Sequence, residues 1–96
     1  MPMPLPAEQR FAVPADVLVN IVEGQSVLLN LKSERYFGLD EIGTRMWTAL
    51  TTAENVQAAC EALLAEYDVE PDRLRKDIEE LAARLLAHGL LEVRGQ

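Results

Sequence analysis

Ninety-six residues, 49% of them apolar and 26% charged, suit one small globular domain and exclude a disordered or fibrous chain. A formal charge of −7, from 9 Lys plus Arg against 16 Asp plus Glu, makes nucleic acid and anionic membranes poor partners, because such a chain gains little from counterion release. A single cysteine, Cys60, rules out an intramolecular disulfide and a thiolate-based structural zinc site, and it points to the reducing cytoplasm.

In chain order, residues 1–14 hold Pro2, Pro4, Pro6 and Pro14, which cannot propagate a helix, and read as a flexible N-terminal arm before a single domain over 15–96. The start lacks the basic and continuous apolar regions of a signal peptide, and no apolar run is long enough to span a membrane. Asp16–Val22 and Ser26–Leu31 are rich in β-branched and apolar residues around the turn Glu23-Gly24-Gln25, which predicts a hairpin. After a polar turn at Lys32-Ser33-Glu34, the run Arg35-Tyr36-Phe37-Gly38-Leu39 supplies a third strand and completes a meander.

Beyond Asp40, a ready N-cap, the period changes: Ile42, Met46, Trp47 and Leu50 predict a helix over about 41–50. Val56, Ala59, Cys60, Leu63, Leu64 and Tyr67 predict a second, begun either by Thr51 with Glu54 as a capping box or by Asn55 as a simple cap. Pro71 at a first helical position, the stripe Leu74, Ile78, Leu81, Leu85 and Leu86, and Gly89 as a stop predict a long third helix. Leu90–Val93 adds a short extended tail. Three strands followed by three helices read as an α+β domain.

Little in the chain suggests chemistry. Cys60 lies on the apolar stripe of the second helix and reads as a core filler, and His88 suits the negative end of the third helix dipole. The pair makes neither a nucleophile with its base nor a metal site. Asp77, Glu79 and Glu80 fit a solvated helix face, and Gly38 and Gly43 lack the other residues of a phosphate loop, so no cofactor is expected. An acyl-carrier reading fails because Ser26 and Ser33 lie in a strand and a turn.

What remains is shape. A short third strand at the end of a meander presents an edge, and a helix beside it with Leu74, Ile78 and Leu81 as floor and Arg73 and Asp77 at the rim would form a groove for β-strand addition. Tyr36, Phe37 and the helical stripe also fit a plain core role, which stays open on the residues alone.

The segment Val27-Leu-Leu-Asn-Leu-Lys-Ser-Glu-Arg-Tyr-Phe-Gly-Leu-Asp-Glu-Ile-Gly-Thr-Arg-Met-Trp47, with Glu66-Tyr-Asp-Val-Glu-Pro71 and the Leu-rich third helix, resembles the PqqD-like family of precursor-peptide recognition domains over about residues 17–91. The resemblance implies a winged-helix-like domain that performs no chemistry itself. Such domains bind the leader of a ribosomally made peptide as an added strand between the third strand and the third helix. Carried over, Arg35, Tyr36, Phe37, Gly38 and Leu39 form the pairing edge and Leu74, Asp77, Ile78 and Leu81 the opposing wall, beside the rim residue Arg73 of the groove read above. Arg-Tyr-Phe-Gly-Leu is most similar to the stand-alone proteins of lasso-peptide pathways, which implies a leader peptidase and a cyclase as pathway partners and pockets for a leader Tyr and Pro. Glu70 stands where an Asp is common and is a poorer N-cap. Alternatives from other classes are a winged-helix DNA-binding regulator, kept alive by Arg73, Arg75 and Lys76, and a purely structural subunit. The exposed edge allows a monomer or a strand-swapped dimer.

Overall fold

A computed structural model describes residues 5–94. Its elements are β1 (Arg10–Ala12), β2 (Val17–Val22), β3 (Gln25–Asn30), β4 (Arg35–Leu39), α1 (Glu41–Thr52), α2 (Val56–Glu66), α3 (Pro71–Ala87) and β5 (Glu92–Arg94). The expected α+β architecture is borne out, with an antiparallel meander in the order β2-β3-β4 and three helices after it.

The β2–β3 hairpin turns through Glu23 and Gly24, at φ 54° and 82°, the two consecutive positive values that suit the twist of a two-residue hairpin loop. Its register pairs Val22 with Gln25 and Val17 with Asn30, and β3 continues to β4 with Leu28 opposite Phe37 and Ser26 opposite Leu39. Alternation puts Ser26, Leu28 and Asn30 on the helix-facing side, where all three are buried.

Asp40 caps α1 by accepting from the Gly43 amide at 2.7 Å. Asn55, not a Thr51–Glu54 box, caps α2, accepting from the Ala58 amide at 2.8 Å. Glu70 gives α3 no side-chain cap, in keeping with its poor fit to that role, and Pro71 opens the helix. Gly89, at φ 69°, closes α3 as its left-handed cap, with Leu90 N donating to Leu85 O at 2.9 Å and Gly89 N to Leu86 O at 3.2 Å. Trp47, Leu50, Val56, Leu63, Ile78 and Leu85 meet Leu28 in one core.

The expectation of a loose arm is corrected from Leu5 onward; Met1, Pro2 and Pro4 lie outside the described residues. Leu5 and Phe11 are buried, and β1 pairs with β5, Phe11 opposite Val93. The carbonyls of Gln9 and Ala7 each accept at 2.9 Å from Val56 N and Gln57 N, first-turn amides that α2 cannot satisfy itself. Proline excludes helix from this stretch, but an extended chain can still pack. The extended tail expected at Leu90–Val93 forms a strand only from Glu92 to Arg94, where β1 gives it a partner.

Candidate functional site

Among the described residues, strand β4 has β3 on one side and a free edge on the other. Alternate backbone N–H and C=O groups along such an edge point away from the sheet and can pair with an added strand. Between β4 and α3 runs an open groove of about 500 Å³, walled by Gly38, Leu39, Asp40, Asp77, Glu80, Leu81 and Arg84 and floored toward α1 by Ile42, Gly43 and Met46. It continues, through Ile42, Met46 and Asp77, into a more enclosed cavity of about 200 Å³ that Leu63, Tyr67, Val69, Arg73 and Leu74 complete. The second volume is large enough for one bulky side chain and is mostly apolar.

Four contacts hold this geometry. At one end the Arg84 guanidinium lies 5.3 Å from the Phe37 ring centroid, and the His88 ring is 5.5 Å from the same ring. Near α1, the buried Ser26 and Thr44 hydroxyls share a hydrogen bond of 2.7 Å, fixing the sheet on the helix. Beside the cavity, Arg45 of α1 donates to Glu66 of α2, with Nε to Oε1 at 3.0 Å, and this bond holds the Glu66 carboxyl below the usual carboxylate range.

The residues expected at the groove divide into several groups. Gly38, Leu39, Asp77 and Leu81 line it, while Arg73 and Leu74 line the adjoining cavity with Asp77. Ile78, at 0% exposure, lies beneath the wall in the core and presents no surface to a ligand. Tyr36 stands on the outer face of the sheet, 77% exposed, because it alternates with the helix-facing Phe37 and Leu39. Arg35 is exposed at the start of β4. Sequence reasoning missed Ile42 and Met46, read only as the core stripe of α1, and Glu80 and Arg84, read as a solvated face or not at all. Ile42 is 54% exposed at the mouth of both cavities, a position that helical periodicity alone does not separate from core.

Cys60 is buried, and desolvation pushes its thiol above the ordinary value. His88 caps α3, its Nδ1 lying 2.8 Å from Arg84 O. Among the described residues no three His, Cys, Asp or Glu side chains are gathered as a metal would require, and no helix is long and apolar enough to cross a membrane.

The family described as coenzyme PQQ synthesis protein D (PqqD) matches residues 25–91, from the start of β3 to just beyond α3. No curated protein sequence matches the chain significantly. Among solved structures, TbiB1 in complex with the TbiA(beta) leader peptide superposes with a TM-score of 0.80 at 28% identity, over 88% of this chain and 99% of that one. A lasso peptide synthetase B1 complexed with its leader peptide superposes with a TM-score of 0.77 over 86% of this chain and 98% of that one, and at 23% identity it speaks for the fold alone. The resemblance carried by Val27–Trp47 and the third helix is therefore borne out, and the chain belongs to the PqqD family.

Proposed function

We propose that this chain binds the leader segment of a ribosomally made precursor peptide by strand addition at β4, and brings it to the leader peptidase and cyclase of a lasso-type pathway in the cytoplasm. The observation that carries the reading is the β4 edge, unpaired among the described residues, beside a groove that opens into an apolar cavity, in a chain that superposes over 88% of its length on a leader-bound relative. Main-chain hydrogen bonds to the outward-facing groups of the five-residue strand β4 supply affinity, and the cavity between Met46, Tyr67 and Leu74 takes an anchoring side chain. The domain performs no chemistry in this reading. It raises the effective concentration of the core peptide near its processing enzymes.

Fluorescence anisotropy with the labelled leader of the neighbouring precursor gene tests this against wild type and Ile42→Asp. Ile42 is exposed and lines both volumes, so an acid there desolvates against the ligand without entering the core. Binding below about 1 μM that the variant loses, with its circular dichroism unchanged, supports the reading. Equal binding by both proteins rejects this groove. A DNA gel shift that weakens steeply with salt would favour a nucleic-acid partner instead.

A further inference from the structure

Charges along the groove stand in a fixed order. Arg84 marks one end through its place over Phe37, and Arg35, two positions earlier on β4, adds a second cation on that side. Asp40, Asp77 and Glu80 line the groove as it passes toward Ile42 and Met46. Among the described residues the ion pairs are Arg45 with Glu66 and Arg75 with Glu79, so Asp40, Asp77, Glu80 and Arg84 have no ion partner within the described chain. Leu39, Leu81, Ile42 and Met46 lie between these charges, and a bound chain would shut water out along them. An interaction with such a charge then gains strength, and a like charge opposite it costs more.

Distance sets the spacing. Asp77 and Arg84 are two helical turns apart, about 10.5 Å along α3 at the usual helical rise, which an extended peptide covers in about three residues. The β2-β3-β4 sheet is antiparallel throughout, so an antiparallel addition continues its pattern. Such a strand passes the acidic stretch first and reaches the Arg84 end last.

Resting on the strand-addition reading above, we infer that the groove selects a segment in which Lys or Arg precedes Asp or Glu by two to four residues. The basic residue answers Asp40, Asp77 and Glu80, and the acidic residue answers Arg84 and Arg35. The reversed order sets like charges against each other at both ends, so charge fixes strand direction and register where backbone pairing alone does not.

The test is selection of a displayed library of random 12-residue peptides on the full chain, on Ile42→Asp and on Arg84→Glu. Winning peptides are then resynthesised for anisotropy. The expected result is a basic-before-acidic pattern among peptides whose binding needs Ile42. Neutralising the peptide's acidic residue weakens binding to wild type about tenfold. Arg84→Glu weakens it similarly and selects a basic residue at that position instead. Replacing the peptide's acid by Lys restores binding to Arg84→Glu but not to wild type. Peptides that need Ile42 but show no charge order, or the opposite one, overturn this inference and leave strand addition standing. A selection that yields no peptide sensitive to Ile42→Asp overturns both.

Discussion

Asn30 on β3 donates from Nδ2 to the Gly89 carbonyl at 3.1 Å, joining the sheet to the residue that ends α3. The same amide oxygen accepts from Lys32 N at 2.9 Å and Ser33 N at 3.2 Å, which shapes the β3–β4 turn. One buried side chain thus sets the start of β4 and the end of α3, the two elements that flank the groove.

Asn30→Ala leaves those turn amides and the Gly89 carbonyl without this partner, at a cost of about 1 to 3 kcal/mol. Gly89→Ala places a Cβ 2.8 Å from Asn30 Nδ2 at a positive φ, and costs about 1 to 2 kcal/mol from backbone handedness alone. Urea unfolding of both variants and the double variant measures this. A combined loss smaller than the sum is expected, because once Asn30 is gone the Cβ meets nothing.

Phe11→Ala should destabilise the protein by about 3 to 5 kcal/mol, the usual cost of emptying a buried aromatic site. A free arm would lose nothing on the same change. Phe11 is 6% exposed and its strand holds β5 in place, so the urea midpoint of the variant reads directly whether the N-terminal strand belongs to the domain.

Tyr36→Ala should leave leader affinity within about twofold, because the ring stands on the outer face with Leu29 opposite and does not line the groove. Ile42→Asp in parallel should abolish it. Anisotropy titrations of the two variants separate the faces of β4, and a reversed ranking would move the binding surface to the outer sheet.

Burial raises the Cys60 thiol, so the folded state keeps its proton after the unfolded chain has lost it. Its contribution to stability is present below the ordinary thiol range near about pH 8.5 and falls as pH rises above it. Cys60→Ala should therefore lose less stability than wild type between about pH 8 and pH 10 in urea unfolding, and the native wild-type thiol should react slowly with an aromatic disulfide reagent.

Local signals were enough to locate the three strands of the meander and the three helices, but not β1. Asp40, Asn55, Pro71 and Gly89 act within a few residues of themselves, and periods of 2 and 3.6 separate strand from helix without reference to the rest of the chain. The family resemblance, carried by Val27–Trp47, was equally legible. Only the tertiary structure decided which apolar residues face what. Tyr36 and Phe37 are neighbours of similar chemistry, yet one is on the open face and the other beneath Arg84. Ile78 is sealed in the core and Ile42 opens onto the groove, although both belong to apolar helical stripes. The proline-bearing start could be read as not helical, but its packing waited on orphan amides of α2 and on β5, dozens of residues away. Periodicity reports that a side chain belongs to an apolar face; whether another element covers that face depends on long-range packing that no short window of sequence contains.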